Sequence, residues 1–409
     1  MQLDELREYQ AKLFEKNNFS YKRYFHKSIN LDKKLVGIVG ARGVGKTTFL
    51  LQYLKELDIA FSKKLYISAD ILTIPSLFEV ANSFSKEEGK VLVIDEIHKY
   101  KNFEIELKKI YDLLDIRVIF SGSSAIGIDN SKADLSRRSI LYDVYGLSFR
   151  EFIEMEKNIS LPSFSLEDIL SNHVDIAYEL LQKFNLTLLF KEYIKNGYYP
   201  FYFEDREDYL IRLNETINTV LEVDIPSIFP IDYSSIQNLK KLIRLICESH
   251  PYTPNIKELL VKMDMKDNYK GFYRFLDYLN RAKILNILKS SYKGDSIFTK
   301  PDKIYLNNTN LHYAYCDKSS IGTVREVFIA TMLSQKHIVN IPKKGDFLID
   351  NKYTFVLTSL RDSTSFHEVG GKSKKYNQIK DIPDSFVISD DIEIGSKNKI
   401  PMWLFGFLY

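Results

Sequence analysis

Eight residues, GARGVGKT at positions 40–47, constrain this chain more than any other feature of it. Gly40, Gly45, Lys46 and Thr47 fit the pattern G-x-x-x-x-G-K-[ST]. The octet follows the apolar run LVGIVG and precedes TTFLLQYLKEL, whose apolar residues recur at helical spacing. A loop of this kind, between a strand and a helix, folds its backbone round a phosphate. Glycines let the amides come close to the anion, and the helix adds its positive end. In that geometry Gly40, Ala41, Arg42, Gly43, Val44, Gly45, Lys46, Thr47 and Thr48 line a nucleotide, with Lys46 on the β- and γ-phosphates and Thr47 on magnesium. ATP and Mg2+ are the expected ligands.

Four short apolar runs, LVGIVG, KLYISAD, VLVIDE and IRVIFSGS, alternate with helical stretches such as FEIELKKIYDLL. That alternation predicts an α/β fold, a parallel sheet covered by helices on both faces. VLVIDE ends on Asp95 and Glu96, where an acid has no packing reason to be. Beside a phosphate loop, Asp95 is expected to hold magnesium through water, and Glu96 to orient and deprotonate the attacking water. Hydrolysis is therefore expected, not binding alone. IRVIF runs into Ser121-Gly122-Ser123-Ser124, where Ser121 or Ser123 can touch the γ-phosphate, although serines after a strand are ordinarily turn residues. Arg137 and Arg138 follow Asp134-Leu135-Ser136. A guanidinium that reaches the developing phosphate charge of a neighbouring subunit would make the protein a homo-oligomer, and the plainer reading is a solvated surface pair.

At 409 residues the chain exceeds a single core. No apolar run approaches the roughly 18 residues that span a bilayer. Residues 1–16 alternate charges where a signal peptide would be apolar, so a cytoplasmic protein without membrane contact is expected. Cys247 and Cys316 stand far apart without CxxC spacing and are expected as inert thiols, with neither a disulfide nor a zinc site. His98 is expected to be a local structural residue.

After Ser148 the pattern turns helical, through FREFIEMEK, VDIAYELLQKF and ETINTVLEVDI, with Pro162, Pro200, Pro226 and Pro230 as breaks. This predicts a helical lid or connector over 151–236. The formal charge of the whole chain is +3, yet Gln237–Lys303 holds fourteen Lys or Arg against seven Asp or Glu, a net +7. There the order is helix, helix, helix, then a hairpin about Lys293-Gly294-Asp295, which predicts a winged helix-turn-helix over 237–308. Its helix DNYKGFYRFLDYLNRAK places Phe272, Phe275, Leu276 and Leu279 inward and Lys270, Tyr273, Arg274 and Arg281 outward, a candidate contact for DNA or RNA. The competing reading is a face that packs on a sister domain. The closing run IPMWLFGFLY is expected as a buried final strand.

Together GARGVGKTTFLLQYL, VLVIDEIHKYKNFEIELKKIYD, VIFSGSSA, ADLSRRSILYDVYGLSFREF and PMWLFGFLY resemble the bacterial and archaeal AAA+ ATPases that pair an AAA-type N-terminal domain with a DUF4143-type C-terminal region. The resemblance implies a helical segment at 1–30 and an AAA+ core at 31–150. In that core Asp95 and Glu96 would be the Walker B pair, Ser121 or Ser123 the sensor, and Arg137 or Arg138 the arginine finger. It also implies a degraded restriction-endonuclease-like α/β domain at 309–409. Glu326 in the helical run TVREVFIATML, Asp346 opening the strand DFLID, and Glu368 with Lys372 on the next strand, in FHEVGGKSKK, follow the order of such nucleases, whose carboxylates hold magnesium while the lysine steadies the attacking water. The spacing departs from the pattern: Lys372 comes four residues after Glu368 rather than two, across Gly370-Gly371, and 356–367 read as an insertion. A nuclease-like fold is expected, and cleavage is not. Three functions follow: an ATP-driven switch or motor on nucleic acid, a STAND-like nucleotide-gated signalling or assembly switch, and an ATP-linked nuclease.

Overall fold

β1 (Leu35–Gly40) is buried at every residue but Val39, the pattern of a strand covered on both faces. Around it, in chain order, run α1 (Leu3–Lys16), α2 (Phe25–Ser28), α3 (Lys46–Glu56), β2 (Lys64–Ser68), α4 (Leu77–Lys86), β3 (Val91–Asp95), α5 (Phe103–Leu113), β4 (Arg117–Ser123) and β5 (Ile140–Val144). The sheet is parallel throughout, in the order β2-β3-β4-β1-β5. This computed structural model describes residues 3–17, 20–70, 76–123, 135, 137–247, 255–266, 268–291, 301–317, 320–358, 381–390 and 392–409.

The four strands expected from the sequence are all present, and β5 is a fifth. It lies at an edge, with Ile140, Leu141 and Asp143 exposed, so it lacks the apolar run that marks the others. At the opposite edge α1 covers β2. The buried Gln10 accepts from the Tyr66 amide at 2.7 Å and donates to the Lys64 carbonyl at 3.3 Å, so one side chain satisfies backbone groups that an edge strand leaves open. Leu65, Ile67, Leu92, Ile94, Val118 and Phe120 of the sheet pack with Phe84, Leu107 and Ile110 of the helices. Because the strands are parallel, Ser68, Asp95, Ser123 and Gly40 gather at one end of the sheet.

The chain divides into two compact units, one of Met1–Gly146, Thr219–Asp232 and Arg281–Lys283, the other of Leu147–Asn218, Tyr233–Asn280 and Ile284–Tyr409. The second unit opens with α6 (Phe149–Lys157), started by a capping box between Ser148 and Glu151, and continues through α7 (Leu166–Leu181), α8 (Leu186–Asn196) and α9 (Tyr209–Thr219). The next segment, a π-helical turn Val220–Asp224 followed by α10 (Ile225–Ile228), belongs to the first unit, where Ile228 packs against the core. Then come α11 (Tyr233–Cys247), α12 (Ile256–Lys262), α13 (Tyr269–Arg281) and the antiparallel pair β6 (Leu285–Leu288) and β7 (Lys303–Leu306). On α13, Phe272, Phe275, Leu276 and Leu279 are buried, as their spacing predicts, and Lys270 and Arg274 are exposed, while Tyr273 and Arg281 are half-buried. Lys293-Gly294-Asp295 lies outside the described residues.

The rest of the second unit holds α14 (Thr309–Tyr315), α15 (Ile321–Leu333), β8 (Val339–Asn340), β9 (Phe347–Ile349), β10 (Tyr353–Thr358), β11 (Ser385–Ser389) and β12 (Lys399–Pro401). Its sheet runs β12-β11-β10-β9-β8, antiparallel through β8, β9 and β10 and parallel from β10 to β12.

Three expectations are corrected here. The closing run is a strand only at Ile400 and Pro401, the end of β12, and Met402–Phe407 forms a 3-10 helix. Consecutive Trp403, Leu404 and Phe405 are all buried in it. The strand that follows Asp346 and pairs with β9 is β10, Tyr-Thr-Phe-Val-Leu-Thr, with neither an acid nor a lysine. Asp346 precedes β9, and its carboxylate accepts the Leu357 amide at 2.7 Å. Glu326 pairs with Lys303 at 2.7 Å and accepts from Tyr305, whereas Glu368 and Lys372 lie outside the described residues.

The cysteines are the third correction. Cys247, the last residue of α11, and Cys316, just after α14, form a disulfide with Cα atoms 5.4 Å apart. At a sequence separation of 69, nothing local marks the pair. Closing a loop of that length restricts the unfolded chain by an amount worth about 4 kcal/mol. Reduction with dithiothreitol should therefore lower the unfolding midpoint of the second unit, and a peptide map without reductant should show the Cys247–Cys316 link. An unchanged midpoint with both thiols titrating as reduced would remove this staple from the stability of the fold.

Candidate nucleotide site

The loop between β1 and α3 turns on Gly43 at φ 84° and Gly45 at φ 94°, left-handed conformations in which a side chain is strained. Lys46, first residue of α3, is buried, and its ammonium donates to the Gly40 and Ala41 carbonyls at 3.0 Å each. Burial lowers its pKa below the ordinary lysine value. Carbonyl oxygens offset only part of a buried charge, so this ammonium is arranged for an anion.

Thr47 and Asp95 meet across the site, the Thr47 hydroxyl donating to Asp95 Oδ2 at 2.6 Å. Asp95, at the end of β3, is buried and fully engaged: Oδ2 also accepts from Tyr66 at 2.7 Å, and Oδ1 accepts from the Ser121 hydroxyl and from the Glu96 amide at 3.1 Å. Burial, then the charge of Asp95, raises the Tyr66 phenol, which stays a donor. Glu96 stands at φ 51°, a left-handed conformation uncommon for a residue with a side chain and frequent at functional sites. Burial raises its carboxyl pKa, Lys46 opposes that rise, and Asp95 adds to it. His98 Nε2 lies 3.4 Å from the Glu96 carboxylate, but burial lowers the imidazole pKa to about 4, so at neutral pH it is an uncharged neighbour.

Two further groups border the loop. The Arg23 guanidinium is buried against the Val44, Tyr145 and Gly146 carbonyls at 2.9, 3.0 and 2.7 Å, tying the loop to the chain beyond β5. Asp224, buried at the end of the π-helical turn, accepts from Arg42 Nη1 at 3.3 Å and from Lys99 Nζ at 2.9 Å.

A family model described as an AAA domain matches residues 32–153, the stretch that holds this loop and both acids. Residues 187–320 match a domain of unknown function, DUF8612. Over 94% of this chain and 86% of the relative, 31% of 424 aligned residues are identical to "Uncharacterized protein MJ1637" of Methanocaldococcus jannaschii. The chain belongs to the family of MJ1637 and carries an AAA domain. Two solved structures are also similar. C. elegans PCH-2 shares 19% identity over 38% of this chain and 44% of that one, at a TM-score of 0.24. AMPPCP-bound DnaA from Aquifex aeolicus shares 16% over 69% and 90%, at 0.25. Both superpositions are too loose to bear on what this protein does.

The AAA domain brings Gly40–Thr48, Asp95, Glu96 and Ser121 to one place. Ser121 is spent on Asp95 and on the Glu96 amide, at 3.1 Å from the latter, while Ser123, also buried, pairs in register with Gly40 where the loop begins. Arg138 is bound bidentately by Asp112 of α5, at 2.9 and 3.0 Å, and Arg137 is exposed. Ser124, Asp134 and Ser136 lie outside the described residues. Sequence reasoning missed Tyr66, Arg23, Lys99 and Asp224. Tyr66 had a signal, a phenol two residues before the end of a strand next to VLVIDE, whereas Asp224, far along the chain, had none. Among the described residues no helix is long and apolar enough to cross a membrane, and no three His, Cys, Asp or Glu come together as a metal site.

Proposed function

We propose that this protein binds ATP with Mg2+ at the Gly40–Thr48 loop of its AAA domain and hydrolyses it. The observation that carries the reading is the pairing of Thr47 with Asp95 at 2.6 Å beside a buried Lys46 held only by carbonyl oxygens among its hydrogen bonds here. Thr47 and Asp95 are hard oxygen donors that suit Mg2+, which takes few protein ligands and completes its shell with phosphate and water. When bound, the ion would neutralise charge on the β- and γ-phosphate oxygens. Lys46 binds the same phosphates, Tyr66 and Ser121 hold the Asp95 carboxylate in place, and Glu96 takes a proton from water. Ser121 or Ser123 suits the sensor role, the latter in register with Gly40 where the loop begins. Arg137 suits the finger better than Arg138, which Asp112 holds within its own subunit. The finger reading makes the protein a homo-oligomer.

The ATPase cycle would act on nucleic acid through α11–α13 and the β6–β7 hairpin, read as a winged helix. Support comes from the order of elements, the net +7 of Gln237–Lys303, and the exposed Lys270 and Arg274. The test is the ATPase rate with and without duplex DNA, single strands and RNA. Stimulation by one of them is expected. Lys270→Glu with Arg274→Glu should weaken binding and reduce its logarithmic salt slope by about two, one for each phosphate contact. Nucleotide-dependent assembly with no response to any nucleic acid would replace this reading with the STAND-like switch.

A further inference from the structure

Asp224 has no role in the chemistry proposed above, yet it stands beside the phosphate loop. It is 1% exposed, and its two cationic partners come from the two halves of the nucleotide site: Arg42 is the third residue of GARGVGKT, and Lys99 follows Glu96 by three. The residue closes a π-helical turn, a form that recurs at functional sites because its backbone is held against its preference. The turn is anchored in the first unit by Val220, Leu221 and Ile225, all buried. A buried carboxylate needs cations close by. The cations that serve Asp224 are ones that incoming phosphates would attract.

We propose that Asp224 competes with the phosphates of ATP for Arg42 and Lys99, so that ATP loosens residues 219–232 from the AAA domain and phosphate loss lets them close again. The inference rests on the ATP-binding reading of the loop. Its physical basis is charge balance: two cations serve one internal carboxylate, and a polyphosphate, with more charge, would compete for Arg42, whose side chain is 41% exposed. The segment joins α9 to α11, so a change in its anchoring is carried along the chain to elements outside the AAA domain. Coupling of this kind is reciprocal. ATP weakens the hold on the segment by the factor by which the hold weakens ATP.

The sign of one effect separates competition from mere positioning. If Asp224 competes, Asp224→Asn binds nucleotide more tightly, by about 10-fold within the usual span of such couplings. If Asp224 orients Arg42 for phosphate, the same variant binds more weakly. Full-length wild type, Asp224→Asn and Lys99→Gln would be titrated with Mg2+ and AMPPCP, and hydrogen exchange followed at 219–232. Competition predicts faster exchange in wild type on binding AMPPCP. Asp224→Asn should exchange fast with or without nucleotide. Lys99→Gln, which keeps the carboxylate and serves if Asp224→Asn does not fold, should exchange faster than wild type without nucleotide and gain less from AMPPCP. Weaker binding by Asp224→Asn overturns the proposal while leaving ATP binding intact. So does unchanged exchange in wild type that demonstrably binds AMPPCP. Failure of wild type to bind any nucleotide would remove the parent reading, and this one with it.

Discussion

Lys46→Ala should weaken ATP binding by about a hundredfold to a thousandfold, the equivalent of roughly 3–4 kcal/mol for leaving buried charge without its partner. The ammonium is already out of water, with the Gly40 and Ala41 carbonyls as its hydrogen-bond partners, so the cost of burying it is met in advance and a phosphate gains nearly the full attraction. For the same reason the variant should not unfold. Burial outweighs the attraction of Glu96, Asp95 and Asp224 for this ammonium, so its removal costs the fold little and the unfolding midpoint should stay close to wild type. A Lys46→Ala protein that keeps its midpoint and loses ATP by calorimetry is the expected pair of results; near-normal affinity would take the phosphates away from this loop. The variant also tests Arg137. An Arg137→Ala protein keeps its own loop, and a Lys46→Ala protein keeps its own arginine, so a mixture should recover part of the hydrolysis that neither shows alone. No recovery in a preparation shown to be oligomeric would leave Arg137 as a surface residue.

The parts of this site that were legible in the sequence are those fixed by local backbone. GARGVGKT and VLVIDE carry their geometry in consecutive residues, and the four buried strands declare themselves because burial on both faces demands continuous apolar runs. α13 was legible by the same logic at a period of 3.6, and Phe272, Phe275, Leu276 and Leu279 are the buried set. What was hidden depends on contacts across the fold. The Cys247–Cys316 bond spans 69 positions, and Arg42 meets Asp224 over 182. β5 was hidden for the opposite reason, since an edge strand needs no apolar run. The final run misled because a continuous apolar run marks a fully covered strand and a fully covered 3-10 turn alike.

Glu96→Gln should keep ATP binding and slow hydrolysis by about 10² to 10⁴, the range for loss of a general base. Glutamine preserves size and hydrogen bonding, so the left-handed backbone at φ 51° and the amide contacts to Asp95 and Ser121 should survive. The pH profile isolates the charge. Burial raises the Glu96 pKa above the ordinary 4.5, and only the ionised carboxylate accepts a proton. In the wild type kcat/KM, which reports the free enzyme, should therefore fall as pH drops through that raised value, giving an acid limb above 4.5. His98 does not confuse the assignment, because burial has lowered its pKa to about 4 and it is already neutral where the limb lies. In Glu96→Gln the residual rate should lose this limb. A variant with wild-type turnover, or one that keeps the same limb, would show that another group takes the proton from water and would leave Glu96 as a strand-end residue beside the magnesium acid.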